Sequence, residues 1–195
     1  MVIAIVAMVS AAAIPALDSV TGANARGAAG ELSAAARYLY DLAMLRHQTC
    51  RLALDLDHQR WWAECTEGRY LASREARSQQ DQAREEDDDQ LAERIPDERD
   101  AERRKLLARA RFGEFKDRLA AKRALPGAAA FTEVWTEHQR EPWSRGMSYV
   151  YFYPGGRTEA ARIPVADGSN VYSVVLQPFT GRARVVTGKP EVPRS

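Results

Sequence analysis

The sequence predicts an α+β fold in which one long N-terminal helix packs on a C-terminal antiparallel β domain. The first seventeen residues are uncharged, and the Ala-rich stretch from Val20 to about Arg46 repeats its apolar residues at spacings of three and four. Two alternating segments follow at 49–66, and short β-type segments fill the chain after residue 124. One helix followed by a run of strands is typical of the α+β class.

Composition excludes several classes of function. The chain has 195 residues and a formal net charge of +1, which argues against a protein that binds nucleic acid over its whole surface. Two cysteines and three histidines are too few for a disulfide-dense scaffold or a four-cysteine zinc site. We therefore expect no metal and no cofactor.

The opening segment, Met1–Leu17, has three interpretations. A buried core helix normally carries a polar stripe, and a secretory signal peptide needs basic residues ahead of its apolar run. A membrane-spanning helix fits an uncharged segment of this length, at the short end of what a ~30 Å hydrocarbon layer requires. If residues 1–47 form one continuous helix, it is about 70 Å long, which is too long for one small domain to bury. This length favours the membrane-spanning helix.

The stretch after the apolar segment predicts an amphipathic helix. Its apolar face is formed by Ala25, Ala28, Ala29, Leu32, Ala35, Ala36, Leu39, Leu42 and Ala43. Gly22, Gly27 and Gly30 each weaken a helix by roughly 1 kcal/mol relative to Ala, so fraying is expected near 22–30. The predicted domains are 1–48 for the helix and 49–195 for the β domain.

Residues 49–66 predict a β-hairpin. With Asp57 and His58 as a two-residue turn, Cys50 lies opposite Cys65 in a hydrogen-bonded pair, with Cα atoms ~5.5 Å apart. Two unpaired buried thiols are the alternative. A disulfide is favoured because a preceding membrane helix would deliver the hairpin to an oxidising compartment.

A highly charged insertion is predicted at about 67–123. Of the 38 residues from Arg74 to Arg111, 22 are charged, 12 acidic and 10 basic. The acidic run Glu85–Asp89 contains no glycine and lacks the spacing of a calcium loop. We expect a solvated helical or disordered excursion that serves as a contact surface for a partner.

Short strands are predicted after the insertion. They cover 131–136, 147–153, 161–165, 171–177 and 182–187, separated by Gly- and Pro-containing turns. Tyr149, Tyr151 and Tyr153 share one face of their strand, which we expect to pack against the long helix; a stacking platform for bases is the alternative.

The sequence shows no catalytic motif. His138 lies close to Glu133, Glu137 and Glu141, but this stretch reads as a polar loop after a strand. Arg182 and Arg184 point to the same side of the last strand and form a candidate contact for nucleic-acid phosphates. No enzymatic activity is expected.

The two ends of the chain resemble a known family. An uncharged apolar run with Pro15 near its end, followed by an amphipathic Ala-rich helix, is similar to the N-terminus of type IV pilin-like proteins. Phe152-Tyr153-Pro154-Gly155-Gly156-Arg157 and Pro178-Phe179-Thr180-Gly181-Arg182-Ala183-Arg184 resemble the C-terminal block of the H-type minor pseudopilin of type II secretion, grouped with FimT-type minor pilins. In such an alignment the family's leader and first mature residues would precede Met1, so the prepilin cleavage and N-methylation that the resemblance implies map onto no residue here.

The resemblance implies a minor pseudopilin, a structural subunit that supports export of folded proteins by type II secretion. It implies a single-pass inner-membrane protein with its β domain in the periplasm. Its partners would be other pseudopilins through the N-terminal helix, membrane lipid, and the secretion machinery or an exoprotein. The alternative is a FimT-like minor pilin in pilus biogenesis or DNA uptake, with DNA held by Arg182, Arg184, Lys189 and Arg194. A membrane-tethered periplasmic binding protein is a third class, for which no pocket is evident.

Overall fold

The computed structural model describes residues 2–66, 112–115 and 117–191, with side chains of the helix from residue 22 onward. Helix α1 runs without interruption from Val2 to Arg46, a length of about 67 Å. The predicted fraying at 22–30 was wrong, because Ala25, Ala28 and Ala29 are fully buried there and their packing outweighs the weak helix propensity of glycine. Within the described part of the chain, no helix has the length and hydropathy needed to cross a membrane.

The strands form two antiparallel sheets. Their bounds are β1 Cys50–Asp55, β2 Arg60–Cys65, β3 Gly113–Glu114, β4 Arg123–Ala124, β5 Ala130–Phe131, β6 Trp135–Thr136, β7 Met147–Tyr153, β8 Arg157–Thr158, β9 Ala161–Asp167, β10 Asn170–Leu176 and β11 Ala183–Thr187. The first sheet has the order β3-β2-β1-β7-β8, with β4 also on β2. The second has the order β11-β10-β9-β5, with β6 also on β9. The predicted α+β class, with one helix on antiparallel sheets, is confirmed.

Helix α1 packs on both sheets and encloses the core. Every residue of the predicted apolar face is buried, from Ala25 to Ala43. The facing strands supply Leu52, Val150 and Phe152 from the first sheet, together with Ile163 and Val165 from the second. Because most helix residues at this contact are alanines, the helix axis can approach the strands closely while the larger side chains fill the remaining space.

The hairpin register is confirmed and its turn is corrected. Cys50 pairs with Cys65, and the two form a disulfide. Their Cα atoms are 4.0 Å apart, and the backbone hydrogen bond from Thr66 N to Thr49 O belongs to the neighbouring pair, so the cysteines occupy a non-hydrogen-bonded pair. The reason is the connection: it spans four residues, Leu56–Gln59, instead of two, and this shifts the hydrogen-bonding phase of the ladder by one residue.

The tyrosine face of β7 was predicted wrongly. Val150 and Phe152 point to the helix and are fully buried in the main core. Tyr149 and Tyr151 lie on the opposite face of the first sheet, where they form a second cluster with Ala53. On that face the Tyr151 hydroxyl accepts a hydrogen bond from the Arg51 guanidinium at 3.5 Å, a polar contact of the kind that buried tyrosines usually keep.

The stretch predicted as one strand at 131–136 contains two shorter ones, β5 and β6. Between them, Val134 forms an isolated bridge with Trp143, exchanging two backbone hydrogen bonds of 2.8 and 2.7 Å. Most of the predicted charged insertion, residues 67–111 and 116, lies outside the described residues. Its described C-terminal part contributes β3 and β4, both paired with β2.

Asp55 closes the hairpin loop and makes it sensitive to acid. Its carboxylate accepts hydrogen bonds from His58 N at 3.0 Å and from the Arg60 guanidinium at 3.2 Å. Burial by itself raises the pKa of this carboxyl, but the hydrogen bonds from the backbone and ring of His58 and from Arg60 outweigh it, so the pKa lies below the usual 3.8. A lowered pKa contributes stability above pH 3.8 that is lost as the pH falls through the folded-state value.

We therefore expect the free energy of unfolding of Asp55→Asn to decrease less than that of the wild type as the pH falls below about 4. Urea unfolding of the full chain between pH 3 and pH 7 measures the effect. Asp57→Asn, on the exposed part of the same loop, is the control and should leave the acid limb close to that of the wild type. An unchanged acid limb in Asp55→Asn would contradict the role assigned to this carboxylate.

Candidate functional site

The candidate assembly surface is the side of α1 that faces away from the sheets. Four small residues, Ala23, Gly27, Gly30 and Ala34, are exposed there at spacings of four, three and four. These spacings place them on one face of the helix, opposite the buried alanines. We call this set the outward helix face.

Nothing in the described part of the chain packs against the two glycines of the outward helix face. A Cβ atom built on Gly27 or Gly30 would meet nothing within 4 Å. Each glycine destabilises a helix interior by roughly 1 kcal/mol relative to Ala. Gly22 differs, because its Cβ would lie 3.1 Å from the Asn170 side chain. A helix that keeps two glycines with open space above them is suited to close contact with another helix.

Charged side chains border the outward helix face. Glu31 pairs with Arg123 of β4 at 3.1 Å, which ties the helix to the first sheet. Arg37 donates to the carbonyl and the hydroxyl of Ser33, both at 3.2 Å. These polar rims leave the small residues as the strip along which a second helix can approach.

The predicted nucleic-acid residues lie at the start of β11. Arg184 is exposed and pairs in register with Val175, and Arg182 is exposed just before the strand. Lys189, which the alternative function added to this group, forms an ion pair with Glu133. Arg194 lies outside the described residues. The structure thus brings Arg182 and Arg184 together and engages Lys189 elsewhere.

A turn before β11 is fixed by the helix. Gly181 has φ +59°, and a Cβ atom at this position would fall far inside van der Waals contact with the Tyr40 ring. The Tyr40 hydroxyl donates to the Gly156 carbonyl at 2.9 Å. One helical tyrosine therefore holds both turns that the sequence resemblance singled out.

The outer face of the first sheet holds Arg51 between two aromatic rings. Its guanidinium carbon lies 3.9 Å from the Tyr149 ring centroid and 4.1 Å from that of Phe112, and its Nε contacts Glu64 at 2.6 Å. Burial lowers the pKa of Arg51, but Tyr151 and Glu64 together outweigh it and the pKa lies above its usual value. Arg51 and Phe112 pack against Tyr149 and Tyr151. The two tyrosines are only 6% and 5% exposed, so they do not form an open platform for stacking bases.

A buried polar cluster connects the two sheets. His138 Nδ1 contacts Glu159 Oε2 at 2.9 Å, and the same carboxylate accepts from Tyr151 N at 3.3 Å. Gln139 is buried beside them and bonds to Ser148 Oγ at 3.0 Å. The sequence pattern predicts a polar loop that holds His138 near neighbouring glutamates. The carboxylate that His138 contacts is instead Glu159, 21 residues away, and Thr136 Oγ1 lies 3.1 Å from the same ring nitrogen.

This cluster is sealed and carries no reaction that we can assign. His138 and Glu159 have side chains only 7% exposed, and the Tyr151 ring covers the imidazole edge-on at 5.6 Å between centroids. Among the described residues, no group of three or more His, Cys, Asp or Glu side chains is placed to hold a metal ion.

A scan against models of protein families and a search of curated proteins each find no match. A search of solved structures returns the minor pseudopilin EpsH from the type 2 secretion system of Vibrio cholerae. That chain is 10% identical, with a TM-score of 0.47, over 86% of this chain and 98% of that one.

Proposed function

We propose that this protein is a minor pseudopilin, a structural and non-catalytic subunit of a type II secretion pseudopilus. The observation that carries the proposal is the difference between the two sides of α1. One face is sealed against two sheets, and the opposite face presents small residues with open space above them. A helix of 45 residues with one buried face and one small-residue face can attach its β domain to a bundle of similar helices.

The proposed mechanism is transfer of the helix between two apolar environments. Met1–Leu17 carries no charge, so it can reside in the inner membrane before assembly and against sister helices afterwards. Burial in lipid and burial in a bundle satisfy the same apolar surface, which keeps the exchange reversible. Small side chains at the contact then favour the bundle, because they allow backbones to approach closely.

Location and partners follow from this mechanism as part of the proposal. The protein would be a single-pass inner-membrane protein with its β domain in the periplasm, where the Cys50–Cys65 disulfide is expected to persist. Other pseudopilins would contact the helix, and the secretion machinery or an exoprotein would contact the β domain.

A second candidate is a FimT-like minor pilin that takes part in pilus biogenesis or DNA uptake. The exposed pair Arg182 and Arg184, on the same side of the chain at β11, favours it. Contacts of this kind bind phosphates without reading sequence, so the binding would weaken steeply with salt.

The proposal predicts that bulk on the outward helix face blocks assembly without unfolding the domain. We expect Gly30→Ala to raise the free energy of unfolding by about 1 kcal/mol, because Ala is the better helix former and its Cβ meets nothing. Gly30→Leu should be equally well folded but should fail to enter filaments. Thermal unfolding of the purified chain and recovery of the protein in sheared filaments from its own host measure the two effects.

Gly155→Leu is the matched control, since Gly155 is exposed and a Cβ there also meets nothing. A gene deletion complemented by each variant separates the two candidate functions. Loss of exported proteins from the culture medium with Gly30→Leu supports the pseudopilin. Loss of transformation with export unchanged supports the pilin alternative, and normal filaments with Gly30→Leu would refute the assembly role of this face.

A further inference from the structure

Strand β11 forms an edge of the second sheet, and the described part of the chain places no strand on its outer side. Gln177 N donates to Arg182 O at 3.1 Å, and Gly188 N donates to Val171 O at 2.7 Å. Even-numbered residues of this segment therefore bond to β10, and by the alternation of an antiparallel ladder the odd-numbered ones point outward. Ala183 O confirms the direction, because it accepts a hydrogen bond from Ser33 Oγ at 3.1 Å.

Val185 and Thr187 consequently direct their N–H and C=O groups to the outer side of the edge. The strand is short and carries Arg184, two features that protect an edge, but it lacks the others. It carries no proline and no bulge, and it ends in three β-branched residues, Val185, Val186 and Thr187. Val185 is 38% exposed although it is a large apolar side chain. An edge of this kind is a template for pairing with another extended chain.

Arginines border the edge on both sides. On the outer side of the sheet are Arg182 and Arg184, both exposed. On the helix side are Arg26 and Arg37, also exposed, which share a flank of α1 with Ser33, seven residues after Arg26 and four before Arg37. Since Ser33 contacts β11 directly, this flank faces the edge.

The carboxylates of α1 whose side chains the structure describes, Glu31 and Asp41, lie elsewhere. Glu31 pairs with Arg123 on the opposite flank of the helix. Asp41 lies one turn beyond Arg37, towards the end of the helix, while β11 runs from Ala183 beside Ser33 in the other direction, towards the Gly22–Asn170 contact. Among the described side chains of α1 and β11, the charged ones that border the edge from Ala183 to Thr187 are therefore arginines.

We propose that the β11 edge binds an extended, acidic segment of another protein, which adds to the second sheet as a further strand. Backbone hydrogen bonds to Val185 and Thr187 would supply the pairing. Acidic side chains at adjacent positions of the incoming strand point to opposite faces, so one would meet Arg184 and the next would meet Arg26 or Arg37. Pairing of two copies through β11 is disfavoured, because it would bring the Arg182 and Arg184 pairs of both copies onto one face.

The test uses the full chain in detergent micelles and a short fluorescent peptide in which pairs of adjacent Glu residues are separated by single Thr residues, so that both faces of the added strand carry Glu. We expect saturable binding, measured by fluorescence anisotropy, and slower amide exchange at Val185 and Thr187 in the complex. Val185→Pro should weaken binding about tenfold, because it removes an outward N–H and obstructs the incoming strand. The same variant should fold, since the lost N–H makes no bond to β10.

Arg184→Glu should also weaken binding, whereas Arg140→Glu, an exposed charge in the loop after β6, is the matched control and should not. A peptide with alternate amides N-methylated keeps the charges but cannot pair, and should bind at least tenfold more weakly. This comparison decides the question even if Val185→Pro is unstable.

Three results would overturn the proposal. Equal binding of the N-methylated peptide would show a charge contact without strand pairing. Displacement of the peptide by duplex DNA, with DNA binding unaffected by Val185→Pro, would show a phosphate site. A dimer that forms without peptide and dissociates in Val185→Pro would show that a second copy occupies the edge.

Discussion

Gly181→Ala is expected to lower the free energy of unfolding by about 3 kcal/mol, for two additive reasons. Gly181 has φ +59°, a conformation that L-residues adopt at a cost of about 1 kcal/mol. Its new Cβ would also collide with the Tyr40 ring, and relief would require the ring to leave the position from which it bonds to Gly156. Urea unfolding of the purified chain measures the loss.

Two other glycines separate these contributions. Gly188 has φ +82°, and a Cβ added there would meet nothing within 4 Å, so Gly188→Ala should show the backbone contribution alone, about 1 kcal/mol. Gly155→Ala has neither and should change stability by less than about 0.5 kcal/mol. In a double-mutant cycle, Tyr40→Ala should make Gly181→Ala less damaging; strict additivity would show that the ring is not the obstacle.

Glu159→Ala is expected to be comparably severe, with a loss of about 3 kcal/mol. The carboxylate accepts from the His138 ring and from Tyr151 N, and both partners are buried. Removing it leaves the buried Tyr151 N–H without this acceptor and leaves the His138 ring with Thr136 Oγ1, at 3.1 Å from Nδ1, in place of a carboxylate. Thermal and urea unfolding at pH 7 provide the measurement.

Glu159→Gln keeps an acceptor oxygen and should recover part of the loss. Glu133→Ala is the exposed counterpart, because it removes the ion pair between Glu133 and Lys189. The side chains of Glu133 and Lys189 are 50% and 48% exposed, so this substitution should change the free energy of unfolding by less than about 1 kcal/mol. If Glu159→Ala were no more damaging than Glu133→Ala, the buried cluster would not contribute to the stability of the fold.

Much of the hairpin and helix could be predicted from local pattern. The alternation on either side of residues 56–59 and the two cysteines fix one register, and the structure has it. The alanine spacing from Ala25 to Ala43 identifies the buried side of α1, because a helical period leaves only one face apolar. The pattern did not show the length of the turn. The prediction that Cys50 and Cys65 form a hydrogen-bonded pair was therefore wrong.

The tyrosines of β7 and the His138 cluster escaped prediction for a common reason. Both faces of β7 are apolar in sequence, so alternation alone does not say which one meets the helix. His138 and Glu159 are polar and lie in connecting segments, and nothing local marks them as buried partners across two sheets. Which polar side chains meet in the interior is set by the fold as a whole.

The sequence by itself determined the α+β class, the buried side of the helix, the disulfide pairing and most strand positions, because each depends on residues close together along the chain. Only the tertiary structure decided which sheet face covers the core, that Gly27 and Gly30 have open space above them, and that β11 is an arginine-bordered edge. Those features depend on contacts between segments far apart in sequence, whose arrangement is set by how all the apolar surfaces are buried together.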